Sequence, residues 1–535
     1  MKRRIIYLPL IFSLLLAGGI YLGMHLATPG MQQQSVFRVP GHSDTRLGNI
    51  LSYIEQDYVD EIDRKELEDK AIKAMIETLD PHSQYITVEE FHEMNDPLLG
   101  SFEGIGVSFR IEKDTITVIS PVKGGPSEKV GIMAGDRIIT IEDSLVAGVE
   151  VTNRDAMRKL KGDKGTKVRV QVLRRGVEGL IDFTITRDVI PTYSLDIAYM
   201  VEPGTGFIRL NKFSATTYEE FIDAAEVLLN QGMQRLILDL RGNTGGYLRA
   251  ATQLTDEFLP DGKLIVYTEG KNRPRSFAFA TKTGKLEQLP VVVLIDEGSA
   301  SASEIVAGAM QDNDRGTIVG RRSFGKGLVQ EQLPMPDGSA VRLTVARYYT
   351  PTGRSIQKPY DDDITKYHHE TIERYTNGEV MHPDSIHFAD SLKYTTPGGK
   401  TVYGGGGIMP DVYVAIEADS SLVYYNRLAN SGLLFQFAFD YADRHRPELT
   451  AYGSAEKFRQ SFSLTDAMYK ELQAYAEDKG VKGTAKEKQQ ARHKTAVLFK
   501  AYVARNIFDE EGFYPIYQEI DDVLQKALLI LNDKS

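Results

Sequence analysis

The sequence predicts a multi-domain α/β protein with helical segments at both ends. Three observations carry this. The chain has 535 residues, more than one hydrophobic core organises, so two to four domains are expected. Its apolar residues change period, from three-and-four spacing near the start to short β-type runs from Gly100. From Pro191 to about Val414 strands alternate with helices, and PVVVLI (Pro290 to Ile295) is nearly all β-branched, as a strand covered on both faces requires.

In chain order, Leu47, Ile50, Leu51 and Ile54 form one apolar helical face, and Leu67, Ala71, Ala74, Met75 and Leu79 a second, stopped by Asp80-Pro81. This helical region spans 46–99. His82, in LDPHSQY, follows the helix stop with no acid–base partner nearby in sequence and reads as a turn residue. Ile105 to Ile111, Thr115 to Ile119, Arg137 to Ile141, Lys167 to Leu173 and Ile181 to Ile185 are strand-like. With two short helices they make a compact module over 100–188. In the next domain, 189–415, Gly206 to Leu210 is a strand, Tyr218 to Gln231 an amphipathic helix and RLILDL (Arg235 to Leu240) a buried strand. Tyr360 to Thr401 is polar, His- and Asp-rich and poorly periodic, and reads as an exposed excursion. The remainder, 416–535, is a helical extension rich in Phe and Tyr, with no chemistry evident in it.

Met1-Lys2-Arg3-Arg4 is basic, and Ile5 to Ala27 contains no Asp, Glu, Lys or Arg. That run spans about 34 Å as a helix, enough for a ~30 Å hydrocarbon core. It predicts a membrane anchor over 1–27, its basic end in the cytoplasm and the bulk of the chain on the periplasmic side of the inner membrane. A cleaved signal peptide is the competing reading, but His25-Leu26-Ala27 lacks a small residue at the −3 position. Residues 28–45 read as a polar tether. Absence of cysteine excludes disulfides, thiol catalysis, cysteine-held metals and a lipoprotein anchor. The net charge of −11 argues against a nucleic-acid partner, which calls for a basic footprint.

The chemistry concentrates between Gly298 and Gln330. PVVVLI runs into Asp296-Glu297-Gly298-Ser299-Ala300-Ser301-Ala302-Ser303-Glu304, and a helix follows. A serine at a strand-to-helix turn exposes its hydroxyl where free amides of the helix start can bind an oxyanion. Ser299, Ser301 and Ser303 all compete for that place, and serine also serves as a helix N-cap. Lys326, in SFGKGLVQ, is flanked by glycines and by Phe324, Leu328 and Val329. Apolar burial lowers a lysine pKa toward the range of a general base. Gln330, four residues on, has the spacing to share its face and hold the amine without adding charge. The turn Asp239-Leu240-Arg241-Gly242-Asn243-Thr244-Gly245-Gly246 follows RLILDL, and its glycines let amides approach a ligand closely. It fits neither the P-loop nor the dinucleotide pattern. None of the ten histidines lies between Pro191 and Asp362, against a Ser-His-Asp triad. With no HExxH, and with His368-His369 read as solvated, no metal and no cofactor are expected.

These stretches, in this order, resemble the carboxyl-terminal processing peptidases, or tail-specific proteases, of the serine–lysine type. Arg347 to Gly353 and Gly407 to Val412 are similar to further family stretches. The resemblance covers about 46–415 and implies a crotonase-like α/β serine protease core. Its nucleophile-to-lysine spacing selects Ser301 with Lys326 as base and Gln330 as orienting residue. It implies an oxyanion hole of the Ala302 amide and that of Gly245 or Gly246. Thr244 stands where the family often has proline. The loop Gly104-Ile105-Gly106-Val107, with Gly131-Ile132-Met133-Ala134-Gly135-Asp136 downstream, resembles a PDZ domain, whose loop amides capture a terminal carboxylate while the peptide adds as a strand. The implied activity is endopeptidase cleavage of exported proteins near an apolar C-terminus, with the PDZ domain recruiting or gating substrate tails. Protein or peptide tails are the implied partners, and a homo-oligomer is left open. A catalytically silent membrane-tethered PDZ adaptor is the alternative, and a crotonase-like acyl-CoA enzyme a more distant one.

Overall fold

A computed structural model describes residues 46–281, 284–360, 364–382, 386, 388–416 and 420–533. The expected anchor and tether (1–27 and 28–45) lie outside the described residues. Among those described, no helix is long and apolar enough to cross a membrane. The chain divides into two compact units at Ala71/Ile72. In the first, α1 (Arg46–Asp57) and the opening turns of α2 (Arg64–Glu77) are helical. Arg64 donates to Glu68 Oε1 at 2.8 Å and pairs with Glu55. The apolar face expected of α1 is not a core face, because none of its residues is buried.

The second unit holds the rest. Strand β1 (Gln84–Ile86) and helix α3 (Val88–Leu99) lead to β2 (Ser101–Gly104). Thr87 opens α3 with a capping box closed by Glu90. The β-rich module follows: β3 (Val107–Ile111), β4 (Ile116–Pro121), β5 (Arg137–Ile141), α4 (Asn153–Leu160), β6 (Lys167–Leu173) and β7 (Leu180–Thr186). Its antiparallel sheet runs β3-β4-β5-β6-β7, leaving β3 at an edge. Alternate residues Val168, Val170 and Val172 turn inward onto Ile116, Ile138 and Leu160. Strand β8 (Asp188–Pro191) pairs antiparallel with β2, so the module's two ends are tied together.

Two sheets build the next domain. The first contains β9 (Leu195–Glu202), β10 (Thr205–Leu210), β11 (Arg235–Asp239), β14 (Val291–Ile295), β15 (Thr317–Gly320) and β18 (Val412–Tyr413), in that order. All its pairs are parallel except β9–β10. Helices α5 (Thr217–Asn230), α6 (Leu248–Asp256) and α7 (Ala302–Asp312) cover one face, meeting Leu236, Leu238, Val291, Val293 and Ile295. The second sheet has the order β1-β17-β12-β13: β12 (Leu264–Gly270), β13 (Arg273–Phe279) and β17 (Ala340–Tyr349), with β16 (Leu328–Pro334) along the other edge of β17. Helix α8 (Ile364–Thr376) corrects the reading of 360–401 as an exposed excursion. Its Tyr367 and Arg374 are 3% and 1% exposed.

The extension forms α9 (Val423–Asn430), α10 (Leu433–Arg444), α11 (Asp466–Asp478), α12 (Ala485–Tyr517, kinked at Phe508–Asp509) and α13 (Asp522–Asp533). Its aromatic residues make a core of their own, among them Phe437, Phe458 and Phe499. It also touches both neighbours. The Arg110 guanidinium of β3 lies 4.1 Å from the Phe439 ring centroid and 4.8 Å from that of Phe435, a cation–π contact worth about 0.5–2 kcal/mol. Val523, Leu524, Ala527 and Leu531 of α13 cover Phe207, Ile237, Val292 and Leu294 on the second face of the parallel sheet. The uniformly apolar PVVVLI follows from this, since its odd and even residues meet different helices. Leu524 is 2% exposed, and Leu524→Ala is expected to cost about 2–5 kcal/mol. A lower urea midpoint with unchanged slope for the full chain is the check.

Candidate active site

Strand β14 carries the chain to the open end of the parallel sheet, and the turn 296–301 delivers it into α7. The three serines of this turn have different surroundings. Ser299 is fully buried, and its Oγ donates to Leu240 O at 2.8 Å. Ser303 is also fully buried, its Oγ donating to Asn243 O at 2.8 Å. Both hydroxyls stitch this turn to the Gly-rich turn after β11. Ser301 is half-buried at the start of α7, and its hydroxyl donates to no described residue. Its backbone has φ 55° and ψ −111°, a region that costs about 1–3 kcal/mol for a side chain other than glycine.

Glu304, one turn into α7, holds this strained residue. Its carboxyl is fully buried and accepts four hydrogen bonds. Oε2 takes the Ser301 and Lys326 amides at 2.8 and 2.9 Å, and Oε1 the Gly325 amide and the Ser323 hydroxyl at 2.7 and 2.5 Å. Burial pushes its pKa up to about 7, against the opposing pull of those donors. Tyr348, buried on β17, adds a second bridge, its hydroxyl 2.6 Å from Lys326 O and 3.1 Å from Ser301 O.

Lys326 lies just before β16, and its Nζ donates to Gln330 Oε1 at 2.9 Å. The route differs from the regular spacing expected: β16 starts only at Leu328, and its register with β17 shifts between Val329 and Gln330. Burial, with the Arg342 guanidinium adding to it, holds the Lys326 pKa below the usual lysine value, while Asp80 and Glu304 pull the other way. No hydrogen bond joins Lys326 Nζ to Ser301 Oγ in this structure; the two residues are linked through Glu304 and Tyr348.

The LDPHS turn is the part of the site that the sequence reading passed over. Strands β1 and β12 share one edge of β17 and leave a gap at 343–346. Thr344 N–H donates there to Ser83 Oγ at 3.0 Å, and Thr344 Oγ1 to Asp80 Oδ1 at 3.1 Å. Asp80 also takes the His82 and Ser83 amides. The His82 carbonyl, so fixed, accepts from Gln330 Nε2. That leaves Gln330 Oε1 turned to Lys326. Burial and the neighbouring Lys326 push the His82 imidazole down to about 3, so it is neutral near pH 7.

Across from Ser301 stands the turn 239–246. Gly245 has φ 98°, and a Cβ on it would stand 2.7 Å from Ala300 O and 2.8 Å from Ser301 Cβ. Only glycine allows this approach. The Gly245 amide is engaged by Asn243 Oδ1 at 2.9 Å. The Gly246 and Ala302 amides donate to no described residue. Beneath the turn, Arg241 forks onto Asp239 (2.7 and 2.9 Å) and onto Asp521 of the extension (2.7 and 2.8 Å). Burial alone would raise the Asp239 carboxyl; Arg241 and Arg209 hold it down at about 2. Asp521 carries no sequence signal, because its partner lies 280 residues earlier.

The PDZ-like loop belongs to the separate β3 sheet. The Ile105 and Gly106 amides donate to no described residue, and Ile105 O is pinned by Ser127 Oγ at 2.6 Å. The loop opens directly onto the free edge of β3.

Comparison with known proteins agrees with this arrangement. Residues 204–365 match Peptidase family S41, 104–185 match a PDZ domain, and 424–509 match a family of unknown function, DUF8443. A carboxy-terminal-processing protease of Bartonella bacilliformis is 39% identical over 58% of this chain and 72% of its own length. The carboxy-terminal processing protease CtpB of Bacillus subtilis is 34% identical over 65% of this chain and 74% of its own. The solved structure of a photosystem II D1 C-terminal processing protease is 30% identical, covering 58% of this chain and 83% of that one with a TM-score of 0.34. Sequence, site and relatives agree that this chain belongs to the carboxy-terminal processing proteases, serine-type peptidases of family S41 that carry a PDZ domain.

Proposed function

We propose that Ser301 is the nucleophile and Lys326 its general base, in an endopeptidase that cuts proteins near their C-termini. The observation that carries this is the one hydroxyl of the turn that donates to no described residue, on a strained residue tied through Glu304 to a half-buried lysine. A neutral amine donates one N–H to Gln330 Oε1 and keeps its lone pair. Ser301 Oγ attacks the scissile carbonyl, and that lone pair takes its proton. The developing oxyanion is met by the Ala302 amide and by that of Gly246, since the Gly245 amide is engaged. The C–N bond breaks as Lys326 returns the proton to the leaving amine. Water then attacks the acyl-Ser301 ester with Lys326 taking its proton; the acyl C–Oγ bond breaks as Lys326 returns that proton to Ser301 Oγ, which frees the new C-terminal carboxyl and restores the neutral amine. Gln330 orients the base as a neutral acceptor. A carboxylate in its place would raise the amine's pKa and weaken it.

In the same reading the Gly104–Val107 loop and the β3 edge receive substrate tails. A catalytically silent adaptor is disfavoured by S41 membership. The apolar run Ile5 to Ala27 supports a chain anchored in the inner membrane with its peptidase on the periplasmic side. Expressed in a Gram-negative host, the full chain then stays with membranes after an alkaline wash, whereas a form lacking 1–27 is released. Recovery of the full chain in the soluble fraction would overturn the anchor.

The central test is cleavage of a denatured, labelled model protein with an apolar C-terminus. Ser301→Ala and Lys326→Ala are each expected to lose about 10³-fold or more in kcat; unchanged cleavage by either refutes the pair. Lys326 works only when neutral, and its folded pKa lies below the lysine norm. The kcat/KM is therefore expected to rise with pH through that lowered pKa and then level. A profile flat from pH 6 to 10 speaks against an amine base. Glu304→Gln turns an N–H₂ toward two of the donors that now share a carboxylate. It is expected to cost about 1–3 kcal/mol for each donor left unpaired and to reduce kcat more than KM.

A further inference from the structure

The peptide units from Arg322 to Lys326 lie between a buried anion and a buried cation. Their amide side faces inward: Ser323 N–H donates to Ile408 O, Phe324 N–H to Ser299 O, and the Gly325 and Lys326 amides to Glu304. Their carbonyl side faces α8. The Arg374 guanidinium donates to Arg322 O at 3.0 Å, Ser323 O at 2.9 Å and Phe324 O at 3.2 Å. Gly325 O takes the Lys358 amide at 2.9 Å. The Phe324–Gly325 peptide unit thus points its N–H at the Glu304 carboxyl and its C=O at the Arg374 guanidinium, and the units beside it are held by one or the other or by backbone.

Arg374 is itself held. Glu370, four residues earlier on α8, forks onto it at 2.8 and 3.0 Å and also takes Lys358 Nζ at 2.9 Å. The Lys358 ammonium lies 4.0 Å from the Phe324 ring centroid and 4.3 Å from that of Tyr367. Tyr367, Glu370 and Arg374 have the spacing of one helix face. The Tyr367 hydroxyl is 2.7 Å from His82 Nε2 and accepts from Gln357 Nε2 at 3.3 Å, while Gln357 Oε1 takes the Gly327 amide at 2.8 Å. Helix α8 therefore holds the chain on both sides of Lys326 and also the turn whose carbonyl fixes Gln330. All but its first two residues lie beyond the stretch matched to the peptidase family, which ends at 365.

We propose that α8 is a positioning element of the peptidase site, in which Arg374 and Tyr367 hold the lysine ribbon and the His82 turn in the register that presents Lys326 to Ser301. This rests on the reading of Lys326 as the base. Neither side chain touches the reacting atoms; each acts through backbone or through Gln330. The ionisable groups acting on Lys326 are Arg342, Asp80 and Glu304, with neutral His82 beside it. Glu370, Lys358 and Arg374 stand behind the ribbon.

The test uses the full chain with Arg374→Lys, which keeps the charge but not the three-carbonyl fork, and Tyr367→Phe, which removes one hydroxyl. Lys326→Ala is the reference, and kcat, KM, the pH dependence of kcat and the unfolding midpoint are measured for each. Arg374→Lys is expected to lose roughly 10²-fold in kcat, as a misplaced base does, with KM unchanged. A loosened ribbon admits water to Lys326 and raises its pKa, so the rising limb is expected to move to higher pH. Tyr367→Phe is expected to lose about tenfold in kcat, with a limb moved in the same direction and a midpoint near that of the parent. Wild-type kcat and limb in both variants overturn the proposal. So does activity lost only in step with the folded fraction, with the limb unmoved. If Lys326→Ala retains parental kcat, the failure lies with the base itself; an inactive Lys326→Ala beside unaffected α8 variants places it on α8 alone.

Discussion

Glu304 sits where two stretches of chain meet, and one of its oxygens, Oε2, accepts an amide from each: Ser301 on one side and Lys326 on the other. A carboxyl this deep is expensive to bury unless its lone pairs are filled. All four positions are occupied, so the desolvation cost is offset only in the geometry that brings the serine turn and the lysine segment together. The unusual backbone of Ser301 fits the same account. Its amide is pinned by Glu304 and its far side pressed by Gly245, so the conformation is set by surroundings rather than by local preference.

Burial of charge with complementary partners recurs around this point. Below the glycine turn, Arg241 is shared by Asp239 and Asp521. Behind the lysine ribbon, Arg374 and Lys358 share Glu370. In each case a charged side chain stabilises loop backbone that no strand or helix ladder reaches. Buried pairs of this kind contribute little net stability compared with apolar packing, but removing one partner is costly. Their effect is to specify one loop arrangement around a serine and a lysine drawn from different elements.

The parts of the fold written in apolar periodicity were legible. PVVVLI reads as a doubly covered strand and is one; 167–173 reads as a strand, and its alternate residues line the module's core. Periodicity misled where apolar residues do not meet a core, as in α1, and where the buried face is polar. Helix α8 turns Tyr367, Glu370 and Arg374 inward, so hydropathy reads it as solvent-exposed. Within the turn, no local property separates Ser299, Ser301 and Ser303. What separates them is the carbonyls of Leu240 and Asn243, some sixty residues away, which engage two of the hydroxyls. The choice between the Gly245 and Gly246 amides likewise depends on where the Asn243 side chain folds back. The extension's role was illegible because Asp521 and the apolar stripe of α13 gain meaning only against a sheet built from earlier chain.

That last arrangement has a consequence for how the enzyme is made. The parallel sheet bearing the serine turn has one face covered by α5–α7 and the other by α13, whose residues are synthesised roughly two hundred positions after Lys326. At about 5–20 residues per second, the ribosome finishes the lysine segment some 10–40 s before Asp521 exists to meet Arg241. During that interval the serine, lysine and glycine turn are all present in the nascent chain, but the sheet beneath them lacks its second cover. The sheet that bears the serine turn therefore gains its second cover only once the last stretch of the chain has been made.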